Sequence, residues 1–318
     1  EWDELFDLLN RCFRPQGGRM QDCFPHFLCT ANRKNLWVFA QQGRIHAHIG
    51  MLHCMWHLHT TTLHVGRIGA VCVAPELRNQ GIGQQLFAHA KQQARQQSLD
   101  LLVISGQSGI YTRQGAEQCG KISTFTFEVQ RLPSSTFNGI RPFRKADLPR
   151  WKALYSAKPV RFSRDNWDIL LGDQIVPWAR NVTQCAWNIL QHERIVATLV
   201  TWQRAEYFEV VEWSGDDSVL FPALRAVGET LQQSRCVFSL PWHEAALYNQ
   251  CLKFDPAPQI SYGEGTVCLL RPLQTPREQT RHTPDTTRQA AVLFGGPSTL
   301  QWSPSVLLPR PIYGLSYI

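Results

Sequence analysis

Apolar residues at Leu5, Phe6, Leu8, Leu9 and Phe13 recur with the period of a helix, which predicts an amphipathic helix over residues 5–13. The pattern then switches to short runs. Leu36-Trp37-Val38-Phe39-Ala40 predicts a strand, Gln41-Gln42-Gly43 a turn, and a second strand begins near Arg44 and continues through the fifties. A third strand is expected over residues 67–73, ending at Ala74-Pro75. A helix over 81–97 follows, with Leu86, Ala90 and Ala94 on one face. The apolar run 99–105 suits a buried strand. A short helix at 109–114 and a strand at 122–129 complete the set.

The polar, proline-bearing stretch Arg131-Leu132-Pro133-Ser134-Ser135 reads as a linker. Beyond it the elements recur in similar order: a helix over 151–157, and strands 185–191 and 194–203 joined at His192-Glu193. A strand over 206–213, a helix over 218–233, a strand over 236–240, a helix over 243–254 and a strand over 266–273 follow. This recurrence predicts an α/β (α+β) chain with two copies of one fold, residues 1–132 and 138–274. From 275 to 289 the chain is polar with two prolines, and 290–318 forms an apolar tail containing Val292-Leu293-Phe294 and Val306-Leu307-Leu308. That much apolar surface is expected to pack back on the protein.

Composition sharpens this picture in a few places. Hydrophobic residues make up 43% and charged residues 18%, enough apolar material for a sizeable core. No run reaches the roughly 18–20 apolar residues of a membrane span. Glu1-Trp2-Asp3-Glu4 opens no basic-then-apolar segment, so no signal peptide is expected. Ten cysteines occur without a CxxC pair, and several, such as Cys72 and Cys236, sit inside apolar runs. Buried free thiols in a reducing cytoplasm are expected, with neither a disulfide framework nor a metal site. The net charge of +7 fits a phosphate-bearing ligand. Lysines and arginines are scattered and no nucleic-acid module is recognisable, so a nucleic-acid partner is not expected.

The chemistry concentrates in Val71-Cys72-Val73-Ala74-Pro75-Glu76-Leu77-Arg78-Asn79-Gln80-Gly81-Ile82-Gly83-Gln84-Gln85-Leu86. A β-branched strand ends in proline, an arginine follows, and a Gly-x-Gly pair opens a helix. Gly81 and Gly83 permit close backbone approach, and the free amides of the first helical turn form an anion site. The string resembles the R/Q-x-x-G-x-G/A cofactor signature of the GNAT acyltransferases, and the flanking elements over roughly residues 1–130 come in that family's order. The resemblance implies tandem GNAT folds, each a mixed, mostly antiparallel sheet flanked by helices. It also implies acetyl-CoA or another acyl-CoA as co-substrate. Its pyrophosphate would lie on the amides of residues 79–83, that is Asn79, Gln80, Gly81, Ile82 and Gly83, beside Arg78. The pantetheine arm would pair with the strand at Val71, Cys72 and Val73. Transfer to an amine acceptor is then the expected reaction.

Gly109-Ile110-Tyr111-Thr112-Arg113-Gln114-Gly115-Ala116 resembles the family's Y-x-x-x-G-F stretch, with alanine where an aromatic is usual. By that resemblance Tyr111 is the general acid for the departing thiolate, or packs against the cofactor. A phenol (about 10) against a thiol (about 8.5) meets the chemical requirement. The glutamate that many relatives carry before the loop is missing from Arg67-Ile68-Gly69-Ala70-Val71, so the base is unassigned. His46, His48, His53, His57, His59 and His64 offer an imidazole base, or are structural. The layout is also similar to that of the enhanced-intracellular-survival acetyltransferases, which implies the terminal carboxylate of Ile318 as a further candidate. In the second copy the loop reads Trp213-Ser214-Gly215-Asp216-Asp217-Ser218-Val219, with no arginine and no Gly-x-Gly. Two aspartates there would repel a pyrophosphate. The second copy is expected to be degenerate. A CoA-binding protein without turnover is the alternative to an enzyme.

Overall fold

The computed structural model describes residues 1–271 apart from 60, 105, 107, 135–138, 166, 168–170, 172–181 and 242. Helix α1 (Trp2–Phe13) buries Leu5, Leu8 and Leu9, the three- and four-residue spacing of one helical face. Asp3 and Glu4 sit in its first turn and Arg11 in its last, each matching the helix dipole. A single turn, α2 (Met20–Cys23), precedes β1 (Leu36–Gln41), β2 (Arg44–Leu58) and β3 (Thr61–Val73). Then come α3 (Ile82–Gln96), β4 (Leu101–Ile104), α4 (Gly109–Thr112) and β5 (Glu117–Glu128). The following residues supply β6 (Gly139–Pro142), α5 (Leu148–Ser156), β7 (Val160–Phe162), β8 (Thr183–Gln191), β9 (Arg194–Gln203) and β10 (Phe208–Gly215). Helix α6 (Leu220–Leu231), β11 (Arg235–Pro241), α7 (Ala245–Cys251) and β12 (Gln259–Leu269) complete the described chain.

The twelve strands of the described residues join one mixed sheet in the order β1-β2-β3-β4-β12-β5-β11-β10-β9-β8-β6, with β7 added to β2. Two neighbouring pairs are parallel, β3 with β4 and β10 with β11; every other pair is antiparallel. The repeated order of elements is therefore visible as two similar half-sheets. Their last strands are not where chain order suggests. β12 inserts between β4 and β5, pairing Thr266 with Ile104 and Gln259 with Thr124. β5 in turn pairs with β11 from Ile122 to Glu128. One long strand thus serves both halves. Phe125 and Phe127 of β5 enter the same core as Phe221, Leu224 and Val227 of α6. Each half thus lends an antiparallel strand to the parallel pair of the other, β12 to β4 and β5 to β11.

The hairpin turns show what the local sequence dictates and what it tolerates. Gln42-Gly43 turns with φ of 51° and 75°, a left-handed pair that glycine accommodates at its second position. His192-Glu193 makes the equivalent turn with φ of 48° and 62°, without a glycine. Glu193→Gly is expected to stabilise the fold by about 0.5–1 kcal/mol, because the side chain's left-handed penalty exceeds the added freedom of the unfolded chain. Urea unfolding measures it, and an unchanged midpoint would count against turn strain.

Candidate active site

The site starts where two strands part. β3 and β4 pair from Val65–Leu101 to Ile68–Ile104 and no further, while β3 continues to Val73. Over residues 69–73 the edge that faced β4 has no ladder partner among the described residues. Here β3 also bulges against β2: the register shifts between His48 and Gly50, and Ala70 takes φ 51°. The buried His48 ring donates from Nδ1 to the Ala70 carbonyl at 2.7 Å and steadies the bulge. A carbonyl only accepts, so the proton is on Nδ1.

Beyond Val73 the chain turns through Pro75–Leu77 into the glycine loop. Asn79 (φ 64°) and Gly81 (φ 78°) are both left-handed, and Gly81 caps α3 without any side-chain acceptor. The amides of the first turn are therefore not taken by a cap. A Cβ on Gly83 would come within 3.1 Å of Ile110 and 3.5 Å of Val73, so glycine lets the helix start close to β3 and α4. Arg78 is anchored by its Nε donating to the Val73 carbonyl at 3.2 Å.

These pieces wall a cleft of about 530 Å³. Val71, Cys72, Val73, Arg78, Asn79, Gly81, Ile82, Gly83 and Tyr111 line it, as do Cys12, Phe13, Leu77, Gln84, Ser108, Ile110 and Arg113. Gln80 is not among the lining residues. The volume is that of a ligand cleft. Among the described residues two guanidinium groups and no carboxylate line it, a charge balance that suits phosphates. Arg113, Ser108 and Cys12 were missed in the sequence. Arg113 lies two residues beyond Tyr111, over the backbone of Gly109.

Tyr111 is presented by the short α4, whose start Ser108 caps by accepting the Ile110 amide at 3.4 Å. Its ring meets Phe87 edge-on at 5.1 Å, and burial pushes its phenol up to about 12. The turn after it is tied to α3: Gln114 Nε2 donates to the Gln84 carbonyl at 2.7 Å and Lys91 Nζ to the Gln114 carbonyl at 2.6 Å. On the other side Thr266 of β12 donates to the Gly106 carbonyl at 2.6 Å. The last described strand thus braces the loop that carries Tyr111.

None of the sequence histidines lines the cleft. They follow the β2–β3 hairpin. His46 Nδ1 lies 3.9 Å from Glu76, His57 Nδ1 3.2 Å from the Thr62 hydroxyl, and burial lowers His48 to about 4. Among the described residues no three His, Cys, Asp or Glu side chains could hold a metal. All ten cysteines are free thiols. Ile318 lies outside the described residues.

The second half parts its strands in the same way but fills the gap. β10 and β11 pair only from Phe208–Cys236 to Val210–Phe238. Lys158 Nζ then donates to the Trp213 carbonyl at 2.9 Å and meets Glu244 at 3.3 Å, occupying the strand edge. Asp216 caps the following turn through the Ser218 amide at 2.9 Å, and Asp217 accepts from Trp213 Nε1 at 2.8 Å. The cavity left is about 70 Å³, too small for a nucleotide. Beneath it Arg164 and Glu212 form a buried bidentate pair (3.0 and 2.7 Å), with Arg164 4.0 Å from the centre of the Tyr155 ring.

A parted parallel strand pair, an uncapped helix start and a basic cleft together make a site suited to a phosphate-bearing ligand. Residues 1–119 match the model of the acetyltransferase (GNAT) domain, so this part of the chain carries a GNAT domain. No curated protein matches the chain in sequence. Among solved structures, a GCN5-related N-acetyltransferase from Anabaena variabilis is similar, with a TM-score of 0.67 and 14% identity over 85% of this chain and 70% of that one. Eis1 from Mycobacterium abscessus gives 0.60 at 13% identity, over 84% and 70%. N-myristoyltransferase from Saccharomyces cerevisiae, with bound myristoyl-CoA, gives 0.52 at 12%, over 84% and 74%. At these identities the likeness to solved structures establishes the fold. Among the described residues no helix is long and apolar enough to cross a membrane.

Proposed function

We propose that this chain is an N-acyltransferase that moves an acyl group, acetyl in the first instance, from acyl-CoA to an amine by direct attack. Residues 1–132 house the acyl-CoA site, and residues 138–274 form a degenerate copy that braces it. The observation that carries the reading is the meeting of three features in one cleft: an unoccupied strand edge, an uncapped helix start and a buried tyrosine. The amides that open α3, with Arg78 and Arg113, hold the pyrophosphate. The edge of β3 at Val71 and Val73 takes the pantetheine amides as a strand would. The amine attacks the thioester carbonyl, the C–S bond breaks, and Tyr111 gives its proton to the leaving sulfur. Among the described residues the lining contains neither a carboxylate nor an imidazole; in this reading water carries away the proton of the attacking amine.

Thiol release from acetyl-CoA, followed with a thiol reagent across a panel of amines, tests this reading. Release that depends on the amine supports it. Tight CoA binding without release would instead make the chain a CoA-binding protein. Arg113→Ala is expected to raise the acyl-CoA KM about tenfold with little change in kcat, the loss of one charge-assisted hydrogen bond formed equally in ground and transition states. A fall in kcat with KM unchanged would remove Arg113 from phosphate binding.

A further inference from the structure

Cys12, in the last turn of α1, and Cys72, on β3, line the same cleft. Cys12 packs against the buried cluster that holds Cys72, and the two side chains interact. The interaction with Cys72, with the nearby Arg78 and Arg11 guanidiniums, brings the Cys12 thiol down to about 7, against the opposing effects of burial and Glu76. The same contact and burial push the Cys72 thiol up. A sulfur with thiolate character therefore lies in the same cluster as a protonated partner, the arrangement of an attacking and a resolving cysteine. The other neighbouring thiols differ. Burial raises both Cys236 and Cys251 in the second-half core, and no guanidinium lowers either.

We propose that Cys12 and Cys72 are a redox-active pair, which a hydroperoxide converts to a disulfide tying the end of α1 to β3 and narrowing the acyl-CoA cleft. The effect on binding rests on the reading of this cleft as the acyl-CoA site. In the first step the Cys12 sulfur takes one oxygen from hydrogen peroxide as the O–O bond breaks, leaving a sulfenic acid and one water. In the second, the Cys72 sulfur attacks that of Cys12, the S–O bond breaks and a second water leaves. The two sulfurs lose two electrons, which the peroxide gains, and both thiol protons end in water. Closing a thiol contact to a bond of about 2.05 Å draws the last turn of α1, including Phe13, toward the free segment of β3. Bound acyl-CoA and the bridge then exclude each other, so acyl-CoA should also slow the oxidation.

The test treats the full chain with hydrogen peroxide, maps disulfides by differential alkylation and peptide mass, and measures acetyl-CoA affinity before and after. We expect a Cys12–Cys72 linked peptide, an affinity at least tenfold lower, and recovery with dithiothreitol. Cys12→Ser, compared with its own untreated form, should lose no affinity to peroxide. Two alkylatable thiols after treatment, a bridge with unchanged affinity, or an equal loss in Cys12→Ser would each overturn the proposal. If the untreated chain binds no acetyl-CoA, the reading of the cleft fails, and the mapped bridge alone then decides whether the thiols are a redox pair.

Discussion

Tyr111→Phe is expected to lower kcat about 10²- to 10⁴-fold, the usual contribution of a general acid, while the acyl-CoA KM stays within a few-fold. The substitution removes one oxygen and keeps the ring, so the edge-on contact with Phe87 survives and the fold should not change. The effect is chemical because the leaving sulfur would otherwise depart as an unprotonated thiolate. Burial holds the Tyr111 proton to about 12, so the acid stays protonated throughout the range in which acceptor amines become neutral. Wild-type kcat should therefore rise with pH as the amine deprotonates and show no fall from loss of the acid below about pH 11. Steady-state rates for both proteins over pH 7–10 check this. A Tyr111→Phe enzyme within twofold of wild type would assign the tyrosine to packing alone.

The phosphate loop was legible because backbone conformation dictates its residues. A left-handed Gly81 and a close-packed Gly83 can hardly be other residues, so the chemistry is written as glycines at fixed spacing. Most elements were legible for a similar reason, since their hydrophobic period is a local property. Partnership between strands is not local. β5 and β12 carry apolar faces that any antiparallel neighbour would satisfy, and nothing in either names the strand that it meets. The opening of β3 was missed because Thr61, Thr62 and His64 are polar, yet the ladder to β2 runs to Leu58. Lys158 was invisible as the plug of the second gap, because its partner Trp213 lies 55 residues away. Cys12 likewise reads as one more position on an amphipathic helix until the fold sets it against Cys72. The sequence pattern thus locates the half of the site made by one continuous loop, whereas the half assembled from separate elements needs the fold.

Acid should unfold this protein early, and three histidines give the reason. Burial lowers His48 to about 4, and burial likewise lowers His26 and His243 to about 4, with Arg67 adding to the effect at His26. An unfolded chain titrates these imidazoles near 6.5, so below that pH it binds protons that the folded chain refuses. Stability is therefore full above about pH 6.5, falls as the pH drops toward 4, and falls no further from this cause below it. For His48, wholly enclosed and bonded to Ala70, a depression from 6.5 to about 4 corresponds to roughly 3 kcal/mol. His26 and His243 keep some exposure and contribute less each, yet the three together reach a large share of the roughly 5–15 kcal/mol that holds an ordinary domain folded. Urea unfolding at half-unit steps from pH 7 to 4 should show this loss. His48→Asn keeps a donor near the Ala70 carbonyl and carries no proton to titrate, so the variant's stability should depend less steeply on pH even if it is lower at neutral pH. Parallel pH profiles for wild type and His48→Asn would exclude His48 as a source of the acid sensitivity. A shallower profile with an altered acyl-CoA KM would show in addition that the bulge it supports shapes the cleft, since Ala70 immediately precedes the Val71 edge.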